Sequence, residues 1–164
     1  MHISKIIAAF TLAGSAALAA DFDISLGTPW DGIDVPDGQQ CALFDGNGST
    51  PPMELSNLSD GTVLVHVEFN DLSYQPLSEN GGHGTIGFDV SGASAALPSV
   101  PGLTNELPAG IQVVRAARSG GQYASDGYLP PCSGGRGNSY SADVIAFDAD
   151  MNRLGMVTVA IGRY

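Results

Sequence analysis

Three short stretches hold side chains whose types and spacing suit them to gripping a small charged ligand. In GGHGTIGFDV, His83 lies between glycines at the start of an alternating run, where an imidazole can exchange a proton near neutral pH. VEFNDLSYQP ends an apolar alternation in Asn70 and Asp71, an amide beside a carboxylate at the point where the chain leaves a strand. GYLPPCSGGRGNSYSADVIAFD sets Cys132, Arg136 and Asn138 in a Pro/Gly/Ser-rich run. Gly134, Gly135 and Gly137 there let the backbone approach a ligand closely, and successive N–H groups can form a concavity that holds an anion. Arg136, turned inward, would add a charge-assisted contact. Singly, each residue has an ordinary explanation: His83 as a surface loop residue, Asp71 as a turn cap, Arg136 as a solvated cation.

The elements that must position these residues read as strands. TVLVHVEF places Val63, Val65, Val67 and Phe69 on one face, expected to point to the core, with Leu64, His66 and Glu68 on the other. TIGFDV, IQVVRA, ADVIAFDA and LGMVTVAI alternate in the same way, and DFDISL reads as an edge strand. DADMNR joins the last two runs as a tight hairpin. The connections carry DGNGSTPP, SENGGHG, LPSVPG and LPAG, which are turn sequences. No stretch repeats apolar residues at helical spacing. The expectation is an all-β, two-sheet antiparallel β-sandwich with few or no helices, forming one domain over residues 21–164.

Residues 1–20, MHISKIIAAFTLAGSAALAA, have a lysine, a short apolar stretch and small residues at Ala17 and Ala19, the pattern of a cleavable signal peptide. This predicts a secreted or periplasmic protein. Without those residues five arginines face seventeen carboxylates, a net charge of −12. Such a chain is repelled by nucleic acid and by anionic membrane surfaces, so neither nucleic-acid binding nor stable membrane insertion is expected. Cys41 and Cys132 are the only cysteines, and in an oxidising compartment they are expected to pair. With only His66 and His83 left as imidazole ligands, no metal site and no other cofactor is expected. Asn47-Gly48-Ser49 and Asn57-Leu58-Ser59 are glycosylation sequons in a host that glycosylates.

Taken in order, these segments resemble the phosphatidylethanolamine-binding protein family. The likeness runs from Gln40 to Tyr164: DGNGSTPPMELSNLSDGT, a strand ending in an acidic residue, GGHG opening a strand, LPAG, then GYLPPCSGGRGNSYSADVIAFDAD and a terminal VTVAIGRY. The resemblance implies a β-sandwich with a small anion pocket for phosphate-type groups. It matches His83 to the pocket histidine and Asn70 or Asp71 to the acidic strand end. Pro131 and Cys132 match the loop wall, and Tyr128 and Tyr140 the neighbouring aromatics. Asn138 stands where the family has a second pocket histidine, and Gly84 where it usually has Trp. On this reading Asp71 orients His83 and favours its charged form, so that anions bind more tightly as the pH falls. The implied function is non-catalytic binding of a small anionic or phosphorylated ligand. The alternatives are a protein-interaction role, as inhibitor or signalling modulator, and a hydrolase using His83 with Asp71. The hydrolase has no evident nucleophile.

Overall fold

The computed structural model describes residues 21–164; the expected signal peptide lies outside them. Eight strands form: β1 (Asp23–Leu26), β2 (Met53–Ser56), β3 (Leu64–Asp71), β4 (Thr85–Asp89), β5 (Ser94–Leu97), β6 (Ile111–Arg115), β7 (Ser139–Phe147) and β8 (Arg153–Arg163). Among the described residues the only helical pieces are three-residue 3-10 turns at Ala42–Phe44, Gln75–Leu77 and Gly121–Tyr123. β1, β2 and β5 make a three-stranded sheet with β2 central, and the other five make a second sheet in the order β6-β4-β3-β7-β8. Every pairing of neighbouring strands is antiparallel. The all-β, two-sheet expectation holds.

One core lies between the sheets. Met53, Leu55 and Leu97 of the small sheet join Val65, Val67, Phe69, Ile86 and Phe88 of the large one in a single buried cluster. β3 is central because it pairs along its length with both β4 and β7, so its inward side chains are covered on all sides. DADMNR forms the expected hairpin: Asp148 donates its N–H to Asn152 O, and Met151 takes the left-handed conformation at φ 63°.

Val65, Val67 and Phe69 face the core as expected, and Val63 alone departs from the expectation. It precedes β3 and is 43% exposed, although its N–H still donates to Phe147 O. Val63 lies one residue before β3 begins, whereas Val65, Val67 and Phe69 inside the strand are all at most 1% exposed.

Cys41 and Cys132 form a disulfide, as expected of an oxidising compartment, with their Cα atoms 5.2 Å apart. It ties the Ala42–Phe44 turn to the segment before β7, and Cys41 N–H reinforces the link by donating to Pro131 O.

The contrast between Val63 and Val65 sets up a paired test. Val65→Ala is expected to cost about 1–3 kcal/mol, since it opens a void in a fully packed site. Val63→Ala should stay within about 0.5 kcal/mol of the parent protein. Urea denaturation of the two variants checks both values, and equal costs would contradict the difference in burial.

Candidate functional site

The end of β3 and the start of β4 build the floor of the site. β3 finishes at Asp71, whose carboxylate accepts one hydrogen bond from Ser73 N–H (2.9 Å) and another from the Asn138 side-chain amide (2.8 Å). The chain returns through Gly81–Gly84 so that His83 N–H donates to Phe69 O and Leu129 N–H donates to His83 O, both at 2.8 Å. The flanking glycines make the return possible. A side chain at 82 would collide with the Leu77 backbone, and one at 84 would meet Gly127 O at 2.8 Å, with Gly84 at φ +109° besides.

His83 is 3% exposed, and its Nδ1 lies 2.8 Å from Leu129 O. A carbonyl only accepts, so Nδ1 carries the proton and the neutral ring keeps Nε2 as an acceptor. Burial is the largest influence and pulls the imidazole below its ordinary value, against the raising effects of the Leu129 bond and the Asp71 charge. Asp71 thus favours the charged form, as expected, but it neither orients the ring nor sets the net direction of the shift. Leu129 O does the orienting, and desolvation outweighs Asp71. Tyr140 packs edge-on against the imidazole at 5.3 Å, and its hydroxyl accepts from Cys132 N–H. Burial pushes that phenol up to about 12, so it stays protonated.

The Gly-rich loop is partly fastened to the end of the chain's last strand. Gly134, Gly135 and Gly137 do take left-handed conformations. Two of its amides are taken, since Gly137 and Asn138 both donate their N–H to Tyr164 O, at 2.8 and 2.9 Å. Ser133 Oγ–H donates to the same oxygen. These bonds pin the C-terminal half of the loop beside the end of β8.

A cavity of about 460 Å³ opens beside this floor. Of the residues singled out from sequence, Asp71, His83, Cys132, Arg136 and Asn138 line it. Four others do not. Asn70 is buried on the far side of β3, where its Oδ1 accepts from Gly81 and Gly82 N–H and its amide donates to Asp143. It is a brace for the Gly81–Gly84 turn, because alternation along β3 sends it to the face opposite Asp71. Tyr128 is fully enclosed against Phe69, with ring centroids 4.6 Å apart. Pro131 is buried and serves through its carbonyl to Cys41, while Tyr140 stands behind His83.

Other wall residues escape sequence reading. Tyr74, Pro76 and Leu77 come from the turn after β3, Ser119 and Tyr123 from the segment after β6, and Leu129 and Ser133 from the stretch before β7. Arg118 is the main addition. Its guanidinium donates to Pro76 O, Glu79 O and Asn80 O at 2.7–3.2 Å, clamping one wall while lining the cavity. The sequence signal was a second arginine three residues beyond Arg115 in IQVVRAARSGG. Among the described residues Arg136 has no hydrogen-bonding or ion-pair partner and is exposed at the mouth. No cluster among the described residues has the ligands for a metal ion.

No protein-family model matches the chain, and no curated protein matches it.

Two outcomes follow from these roles. Asn70→Ala strands two buried N–H groups and should cost about 2–4 kcal/mol in denaturant titrations. The buried His83 makes the fold sensitive to acid. Its folded value is depressed, so its contribution to stability is fully present above the ordinary value of about 6.5 and is lost as the pH falls through the lower folded value. Thermal midpoints should decline below pH 6.5 more steeply in the parent protein than in His83→Gln. His66, also depressed by burial and by Arg115, adds a slope of the same sign in both.

Proposed function

We propose that this is a secreted or periplasmic protein of the phosphatidylethanolamine-binding type that holds a small anionic or phosphorylated ligand without transforming it. The observation that carries the reading is a local reversal of charge. In a chain of net charge −11, two of the five arginines beyond the signal segment, Arg118 and Arg136, line one cavity. Asp71 is the one carboxylate among its described lining residues, and it is occupied by Ser73 and Asn138. An anion repelled by the molecule at large finds a net positive surface there, in a partly desolvated hollow where charge pairs gain strength.

His83 refines the chemistry. With Nδ1 committed to Leu129 O, Nε2 accepts a hydrogen bond from a ligand that still carries an acidic proton, or donates one after taking up a proton itself. Either route adds a proton to the complex, so affinity rises toward acid pH. The separate partners of Asp71 and His83 support binding over hydrolysis, because a hydrolase of this kind needs the carboxylate on the imidazole. The two-sheet fold and the cavity at the end of β3, with His83 and Cys132 on its walls, support the family reading. The disulfide supports export.

Titration of isotope-labelled protein with inorganic phosphate or phosphoethanolamine at pH 5.5–6.5 tests this. The His83 ring resonances should move, and Arg136→Met should weaken binding about tenfold while stability stays within about 0.5 kcal/mol. His83 resonances indifferent to either anion would overturn the reading.

A further inference from the structure

Four strands stand at sheet edges, and three of them are guarded. β1 and β5 are four residues each, while β6 has five, ends in Arg115 and meets β4 through a bulge. Short strands, charges and bulges are the usual protection of an edge against pairing with other chains. The middle of β8 has none of these. The strand is eleven residues long, and between Arg153 and Arg163 it reads LGMVTVAIG, without a charge or a proline. Its ladder with β7 is regular from Ala146↔Gly155 to Ser141↔Ala160. Among the described residues nothing pairs with its other side before Ala160, where Gly32 packs on the carbonyl and Ile33 and Val35 bond to Arg163.

The ladder also sets the direction of the free groups. Leu72 N–H donates to Ser139 O, so Ser141, Asp143 and Ile145 turn their amide groups toward β3. Ala142, Val144 and Ala146 therefore bond to Val159, Val157 and Gly155. Met156 and Thr158 are left with N–H and C=O aimed out of the sheet.

We infer that a second copy of the chain pairs here, its β8 antiparallel to this one about a two-fold axis at Val157. Met156 then exchanges backbone hydrogen bonds with the partner's Thr158, Thr158 does so with the partner's Met156, and the two Val157 side chains meet on the inner face. The ends of the edge choose this register. It carries Arg153 past the partner's Ala160, to the Asp31–Asp34 segment that closes the edge there. Arg153 is exposed and has no carboxylate partner among the described residues. Asp31 and Asp34 are exposed carboxylates. Ile33 between them is 66% exposed, and Met151 beside Arg153 is 52% exposed. The two-fold brings cation to anion and apolar tip to apolar tip at both ends of one self-complementary surface. Val157 and Val159, half-buried at the margin of the core, gain cover from the partner. Asp143, opposite Thr158 on β7, is already occupied by the Thr158 hydroxyl and the Asn70 amide. Repulsion between copies of net charge −11 is screened beyond about 8 Å at physiological salt.

Analytical ultracentrifugation of the purified protein, from about 5 to about 500 µM, tests the pairing. A concentration-dependent dimer is expected. Met156→Pro removes an outward N–H and leaves the ladder with β7 whole, so this variant should be monomeric at every concentration. Arg153→Glu sets like charges together at both ends of the interface and should raise the dissociation constant about tenfold. In the parent protein the Met156 and Thr158 amides should exchange with deuterium more slowly as the concentration rises. That measurement decides the matter if the proline variant does not fold. A monomer throughout would overturn the inference and leave the edge to an extended segment of some other protein. A dimer indifferent to Met156→Pro or to Arg153→Glu would overturn it too, as would amide exchange that ignores concentration.

Discussion

Three hydrogen bonds of 2.8 Å converge on residue 83: its N–H to Phe69 O, Leu129 N–H to its carbonyl, and its Nδ1–H to Leu129 O. They join the end of the central strand, the start of β4 and the segment leading into the disulfide. All three are buried, where hydrogen bonds are strong and a missing partner is costly, so the arrangement tolerates little variation. The cavity floor, the edge-on contact with Tyr140 and the direction of Nε2 follow from it. So does the demand for glycine at 82 and 84, since a Cβ there would meet the backbone of Leu77 or of Gly127.

The cavity is made of two kinds of structure. Its floor belongs to the sheet, where Asp71 sits in register with Tyr140 on β7 and is fixed by ladder geometry. Its walls belong to connections, each secured separately. The Gly-rich loop hangs from Tyr164, the segment before β7 is tied to Cys41, and the turn after β3 is gripped by Arg118. Rigid scaffolding below and independently fastened loops above is a common way for β-domains to carry a site.

Long alternating runs made the large sheet legible from sequence. β3, β4, β6, β7 and β8 each show the two-residue period over five residues or more. β2 and β5 are four residues each, MELS and SAAL, too short for periodicity to separate them from loop. Val63 fits the pattern but lies just before β3 begins and stays exposed, an end effect that alternation does not mark. The disulfide was legible because two cysteines admit one pairing. The site was half legible. His83, Asp71, Cys132, Arg136 and Asn138 stand out by type and setting, whereas Arg118, Tyr74 and Tyr123 reach the cavity only through topology. Asn70 and Asp71 are adjacent in sequence, and only the strand's alternation separates brace from wall. Nothing local reveals that Tyr164 takes the amides of Gly137 and Asn138.

Arg118 holds its wall entirely by backbone oxygens, those of Pro76, Glu79 and Asn80. Every residue type supplies the same carbonyl, so this fastening is blind to the side chains of the segment it secures. Mutational drift there can change what the wall shows to a ligand without loosening the wall. The fold thus separates the inheritance of a shape from the inheritance of a specificity: related chains can keep the same hollow while their ligands diverge.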